Sequence, residues 1–105
     1  MKILITGGKS AQALKLVNSF LDDEIILADY GDMPNFPSAK YQFITLGKRN
    51  DEVVAHNLLT FCLDHGVNAI LPLHSFEIDE IVKSKVLFEE FSIKVLEPSD
   101  QQVIK

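Results

Sequence analysis

The sequence predicts one α/β domain spanning residues 1–105, built on a five-stranded parallel sheet. Short apolar runs, typical of buried strands, alternate along the chain with apolar residues at the three-to-four spacing of amphipathic helices. Glycines, prolines and polar residues separate these stretches. The length of 105 residues, 47% of them hydrophobic, is enough for one core and hardly for two.

The first predicted strand, Ile3–Ile5, runs directly into Gly7 and Gly8, after which helical periodicity begins. The inward stripe of this first helix, which Asp22-Asp23 ends, is predicted to be Ala13, Leu14, Val17, Phe20 and Leu21. Unpaired N–H groups and the helix dipole lie next to a loop of this kind. The segment therefore indicates a place for an anionic group.

The second predicted strand, Ile25–Ala28, shows no alternation of polar and apolar residues. That pattern is expected where helices cover both faces of a sheet. Asp29 stands at its carboxyl end. From Tyr30 to Lys40 the chain is predicted to be irregular, because it is rich in turn-forming residues and contains two prolines.

The second half of the chain repeats the alternation of strands and helices. A third strand is predicted over residues 41–46, a fourth over 69–71 and a fifth over 93–96, with Ser99-Asp100 beginning a further helix. Asn50 or Asp51 is predicted to cap the second helix. Its inward face is Val53, Val54, Leu58, Phe61 and Cys62, and His65-Gly66 ends it. A third helix, capped by His74 or Ser75, is predicted to bury Ile78, Ile81, Val82, Leu87, Phe88 and Phe91.

These elements together predict a Rossmann-like, three-layer architecture. Strands that alternate with helices require right-handed crossovers and a parallel sheet, for which we predict the order 3-2-1-4-5 with helices on both faces. Ligands bind such sheets beyond the carboxyl ends of the strands. The loops expected there are residues 7–10, 29–38 and 73–77.

Composition limits the classes of partner and site. A formal charge of −5, without any cluster of basic residues, argues against binding to nucleic acid or to an anionic membrane. Cys62 is the only cysteine, so it forms no internal disulfide and is interpreted as a core residue. His56 and His65 lack the spacing of a metal pair, and no metal site is predicted. No apolar run approaches 18 residues and no targeting segment is recognisable, so we expect a cytoplasmic protein.

The first loop matches part of a dinucleotide-binding fingerprint. Gly7, Gly8 and Asp29 fit the glycines of the turn and the acidic residue that binds a ribose, but Ser10, Ala11 and Ala13 stand where that pattern continues. Because Lys9 follows the glycines at once, the loop is not of the Walker type. Two interpretations stay open, an anion-binding loop and a pair of glycines that only permit a sharp turn.

The third loop places an imidazole, a hydroxyl and a carboxylate within one helical turn. His74 could act as a general acid or base, although a capping or solvent-facing role is also open. Ser75 is interpreted as a helix cap, since no Gly-x-Ser-x-Gly turn exposes it as a nucleophile. Glu77 could simply complement the helix dipole. The predicted binding residues, with no catalytic set among them, are Gly7, Gly8, Lys9, Ser10, Asp29, His74 and Glu77.

Several segments, in order, resemble the N-terminal pre-ATP-grasp domain of carbamoyl-phosphate-synthase-like ATP-grasp proteins. The resemblance covers almost the whole chain. It rests on Ile3-Leu-Ile-Thr-Gly-Gly8, the small residues Ser10, Ala11 and Ala13, Ala28-Asp29, Ser38-Ala-Lys-Tyr41, Ile70-Leu-Pro-Leu-His-Ser-Phe-Glu77, Phe88-Glu-Glu-Phe-Ser-Ile-Lys-Val95 and Glu97-Pro-Ser99. Gly7 and Gly8 match the family's first loop, Asp29 its acidic residue after strand two, and Glu77 the acid after strand four. His74-Ser75 departs from relatives that often carry an acidic or thiol residue there.

The resemblance implies a domain that lends loops to the binding of a small acceptor substrate and packs against an ATP-grasp module in cis or in trans. ATP and magnesium would belong to the complete ligase, whereas this chain binds no cofactor by itself. Lys105 comes before the ATP-binding lobes, so we expect the chain alone to be inactive, with Lys105 either a natural end or a boundary within a longer protein. Poor burial of Val103 and Ile104 would favour a longer protein or a homo-oligomer.

Two other functions remain open from the sequence. The first is a small regulatory domain that binds NAD(P) or another nucleotide, with Asp29 holding a ribose. The second is a non-catalytic interaction module that uses the fold only as a scaffold, because a fold does not determine a function.

Overall fold

A computed structural model describes residues 1–20, 22–34, 38 and 40–104. In chain order the elements are β1 (Lys2–Thr6), α1 (Ala11–Val17), β2 (Glu24–Asp29), β3 (Tyr41–Thr45), α2 (Val54–Asp64), β4 (Ala69–Leu71), α3 (Ser75–Lys83), α4 (Lys85–Glu90) and β5 (Lys94–Val95). The longest helix, α2, has 11 residues, and no described helix has the length and apolar character needed to cross a membrane.

The five strands form one parallel sheet in the order β3-β2-β1-β4-β5, which confirms the predicted topology. The central strand β1 pairs with β2 on one side and β4 on the other, so that Leu4 lies beside both Ile26 and Ile70. The loops after β1, β2 and β4 therefore meet at one edge of the sheet.

Each face of the sheet is covered by an apolar layer, because successive side chains of a strand point to opposite faces. Leu4 faces the layer formed by α2, α3 and α4, whose innermost side chains include Leu58 and Phe88. Ile3 and Ile5 face α1 and its inward residues. This arrangement confirms the predicted three layers.

The first helix is shorter than predicted and turns Leu14 outward. Leu14 is 42% exposed, whereas the inward stripe is Ala13, Leu16 and Val17, the i, i+3 and i+4 positions of one helical face. After Val17 the backbone amides of residues 18–20 donate to the carbonyls three positions earlier, so the regular α-helix ends at Val17. Phe20 lies after this turn and packs, partly buried, against the core on the α1 face. Leu21 lies outside the described residues.

The predicted N-cap of the second helix, Asn50 or Asp51, is wrong, whereas its predicted end is confirmed, with His65 as the C-cap and Gly66 following at a φ of +64°. Its N-cap is Val53, which makes no side-chain capping bond and is 38% exposed instead of facing inward. Asn50 instead forms a turn before the helix, where its side-chain oxygen accepts a hydrogen bond from the Glu52 amide at 3.1 Å. The predicted core residues Val54, Leu58 and Cys62 are buried, and Phe61 packs partly buried against them.

The predicted third helix is interrupted at Ser84 and becomes α3 and α4. Val82, Leu87 and Phe91, which were predicted to be buried, are instead between 42% and 48% exposed. Ile81 and Phe88 are completely buried on the two sides of the break. The predicted helix at Ser99 is instead a single turn.

Gly8 is fixed by its contact with β2, and this generates a prediction. A Cβ at Gly8 would lie 2.7 Å from the Ala28 nitrogen and 2.7 Å from the Leu27 carbonyl carbon, both of them backbone atoms of a central strand. We expect Gly8→Ala to lower the free energy of unfolding by about 3 kcal/mol in urea denaturation, because neither backbone yields easily.

Gly66→Ala is the matched control, since Gly66 has a φ of +64° and nothing within 4 Å of its added Cβ. It should lose only the conformational cost of about 1 kcal/mol. Equal losses in the two variants would contradict the close approach of the first loop to β2.

Candidate functional site

A completely buried carboxylate, Glu77, joins the loops at the carboxyl edge of the sheet. The Thr6 hydroxyl, at the end of β1, donates to Glu77 Oε1 at 2.6 Å. The Tyr30 hydroxyl, just after β2, donates to Glu77 Oε2 at 2.7 Å. Thr6 Oγ1 also accepts a bond from the Leu73 amide at 3.1 Å, which ties in the loop after β4. Three loops are thus held by one carboxylate.

Asp29 and His74 form the second part of this network, across the gap between the ends of β2 and β4. His74 Nε2 lies 2.9 Å from Asp29 Oδ1, with both side chains largely buried. Two backbone amides complete the surroundings of Asp29, from Tyr30 at 2.9 Å and from Lys9 at 3.3 Å. Both carboxylate oxygens of Asp29 are therefore used within the protein.

The Asp29–His74 contact shifts both pKa values in the direction that favours an ion pair. Burial would raise the pKa of Asp29, but hydrogen bonds from His74, Tyr30 and Lys9 outweigh it and lower that pKa below its usual range. The hydrogen bond to Asp29 raises the pKa of His74 in spite of its burial. Both shifts favour the form in which the imidazole carries the proton and the carboxylate is charged.

The pKa shifts of Glu77 and Tyr30 instead favour the uncharged forms of these two groups. Burial raises the pKa of Glu77, although hydrogen bonds from Thr6 and Tyr30 oppose the rise. Burial and the nearby Glu77 charge raise the pKa of the Tyr30 phenol, so this hydroxyl stays a donor at neutral pH. Burial raises the pKa of the Cys62 thiol to about 12, which fits a core residue and not a nucleophile.

The polar residues of the first loop, Lys9 and Ser10, make hydrogen bonds within the protein. Lys9 reaches across the end of β2, where its ammonium group donates to the carbonyls of Tyr30 at 2.7 Å and Asp32 at 3.3 Å. Ser10 caps α1 by accepting a bond from the Ala13 amide at 3.1 Å and donates to the Gly7 carbonyl at 2.7 Å. Lys9 and Ser10 thus stabilise the loop through internal bonds.

The segment ending at Ile104 lies over the same loop. Ile104 donates its amide to the Leu73 carbonyl at 2.7 Å and accepts from the Ser75 amide at 2.9 Å. Its side chain packs so closely on Gly7 that a Cβ there would lie 2.6 Å from Ile104 Cδ1. Ile104 is therefore partly buried in the core on the α1 face, contrary to the expected poor burial.

All seven predicted binding residues lie at this edge, but they play different parts. Lys9, Asp29, His74 and Glu77 supply side-chain contacts, whereas Gly7, Gly8 and Ser10 shape the first loop; that any of them binds a ligand stays a prediction. Within the residues that the structure describes, no three His, Cys, Asp or Glu side chains are grouped so that they could hold a metal ion.

Sequence reasoning missed four residues that complete the network. Thr6 and Tyr30 hold Glu77, while the Phe76 ring stacks on His74 at 5.2 Å between centroids. The Arg49 guanidinium lies 3.5 Å above the centre of the Phe76 ring. A signal existed for Thr6 and Tyr30, because both are hydroxyl residues at the carboxyl ends of buried strands.

Comparisons with known proteins give structural similarity only. No protein-family model matches the chain, and no curated protein matches it. A dTDP-glucose 4,6-dehydratase from Bacillus anthracis, solved in complex with NAD, is 18% identical with a TM-score of 0.59, over 92% of this chain and 36% of that one. A UDP-galactose 4-epimerase is 12% identical with a TM-score of 0.53, over 92% of this chain and 55% of that one.

The chain has a Rossmann-like fold. It spans about a third of the dehydratase and about half of the epimerase. At identities of 18% and 12%, the similarity to these two enzymes is a similarity of backbone fold. The chemistry of this edge therefore has to be argued from its own residues.

The Asp29–His74 pair generates a pH prediction. The raised pKa of His74 adds stability that is complete below the ordinary value of 6.5 and is lost as pH rises through the folded-state pKa. The lowered pKa of Asp29 adds stability that is present above 3.8 and is lost as pH falls through the folded-state pKa. We expect His74→Ala to cost about 1 to 2 kcal/mol in urea denaturation at about pH 5 and clearly less at about pH 9.

His56→Ala is the control for this experiment, because His56 lies exposed on α2 outside the network. It should change the free energy of unfolding little at either pH. A cost of His74→Ala that is the same at both pH values would speak against a charged pair.

Proposed function

We propose that this chain is the substrate-side domain of a ligase of the carbamoyl-phosphate-synthase-like ATP-grasp type, which contributes loops to acceptor binding and has no activity alone. The observation that carries this proposal is the Glu77 network. It holds the loops after β1, β2 and β4 in one arrangement through buried hydrogen bonds. Glu77 is also the acid that the sequence resemblance places after strand four.

The chemistry of the network supports positioning and not catalysis. His74 is engaged by Asp29, and the Thr6 and Tyr30 hydroxyls are engaged by Glu77. Groups that hold one another in this way supply shape and charge to a cleft. A second protein surface would then supply the reacting groups.

A nucleotide-binding domain is the second candidate, favoured by the similarity to a dehydratase solved with NAD. Three contacts oppose it. A dinucleotide would need the acidic residue after β2 for its ribose and the first loop for its pyrophosphate. Asp29 is already bonded through both oxygens, Lys9 lies across the end of β2, and Ile104 covers Gly7.

Ligand-dependent melting separates the two candidates. For the substrate-side domain, NAD, NADP, ATP and adenosine should each change the Tm by less than about 1 °C, because none finds a site that is open. A rise of about 5 °C with any of them, lost in Asp29→Ala, would favour the nucleotide-binding candidate.

The ligase proposal is tested first in the coding sequence. ATP-grasp lobes should follow Lys105 in the same reading frame or be encoded by a neighbouring one. Their absence from both would overturn the proposal.

Kinetics of the complete ligase then test the role of this edge. We expect His74→Gln to raise the KM for the acceptor about tenfold while the KM for ATP stays unchanged, because the acceptor side alone is altered. His56→Gln, on the exposed side of α2, should change neither constant. A change in the KM for ATP alone in His74→Gln would contradict an acceptor-side role.

A further inference from the structure

A small cavity lies between α2 and the carboxyl ends of β2 and β3, separate from the Glu77 network except for one shared residue. It measures about 50 Å³, and its lining residues are Tyr30, Leu46, Lys48, Asn50, Val54, Asn57, Leu58 and Phe61. At the scale of water-sized probes this is room for roughly four water molecules, or for a group of three to four carbon atoms.

The floor of the cavity is apolar. Val54, Leu58 and Phe61 occupy positions i, i+4 and i+7 of α2, which places them on one face of the helix. Val54 and Leu58 are buried, and Leu46 and Phe61 are partly buried. An apolar group is favoured there, because an anion would lose its hydration without a partner.

The mouth of the cavity is rich in donors. Lys48, Asn50 and Asn57 are exposed and also line an open cleft of about 670 Å³, so the cavity opens into that cleft. Asn50 uses its side-chain oxygen within its own loop, which leaves its NH₂ group to donate. Among the described residues Lys48 has no ion-pair partner. None of the eight residues around the cavity is acidic.

The outer cleft is more mixed in charge. Asp51 and Glu52 line it beside Arg49, but Arg49 and Asp51 form a hydrogen-bonded ion pair. Lys48 is thus the cation at the mouth whose charge is not already balanced by a contact in the described structure.

We propose that this cavity binds a small branched aliphatic carboxylate, with the alkyl group among Leu46, Leu58 and Phe61 and the carboxylate beside Lys48. The apolar floor selects the alkyl group and the ammonium group selects the anion. Tyr30 connects this cavity to the Glu77 network, because it lines the cavity and donates to Glu77. The proposal stands on this geometry and does not depend on the ATP-grasp assignment.

The test is a titration of the ¹⁵N-labelled protein, followed by NMR, with isobutyrate as the probe. Saturable shifts are expected at the amides of Lys48, Asn50 and Asn57 with a Kd on the order of 1 to 10 mM. Isobutyramide, the neutral isostere, should bind at least fivefold more weakly. Inorganic phosphate, an anion without an alkyl group, should also bind at least fivefold more weakly.

Lys48→Gln should weaken isobutyrate binding at least fivefold, and Lys85→Gln, at an exposed lysine of α4, should leave it unchanged. The proposal is overturned if isobutyrate gives no saturable shift at these amides up to about 50 mM. It is also overturned if phosphate or isobutyramide binds as tightly as isobutyrate, or if the two lysine variants behave alike.

Discussion

The burial of Glu77 is the constraint on which the carboxyl edge of this protein depends. A carboxylate without any solvent contact is costly unless it is hydrogen-bonded, and here its two oxygens receive the hydroxyls of Thr6 and Tyr30. Those hydroxyls lie 71 and 47 positions away in the chain. The three strand ends must therefore be in register before Glu77 can be buried, so the network couples the loops to the correct order of the strands.

The same network determines where a ligand could fit. In a sheet of this order, the crevice beside β1 and β4 is the usual binding place. In this protein His74 and Asp29 face each other across it, and Ile104 covers Gly7. The small cavity near Lys48 lies instead on the β3 side of the sheet, where Tyr30 forms part of its wall.

Much of the fold could be predicted, because buried strands and amphipathic helices leave different hydrophobic periods in the sequence. The break at Ser84 and the outward turn of Leu14 could not, since tertiary packing selects which apolar residues of a helix face inward. Asp29, His74 and Glu77 were predicted from their places at strand ends. Their partners Thr6 and Tyr30 also stand at strand ends, but no local pattern shows that they pair with Glu77, which lies 71 and 47 positions away in the chain.

The first loop illustrates how one motif can serve structure before it serves binding. Gly8 lets the loop approach the backbone of β2, and Gly7 makes room for Ile104. A ligand at this loop would have to displace Ile104 and the bonds of Lys9, and each lost bond would cost about 1 kcal/mol. A ligand in the cavity near Lys48 would break no hydrogen bond of the network. The difference in cost favours the cavity, although the glycines give the more recognisable motif.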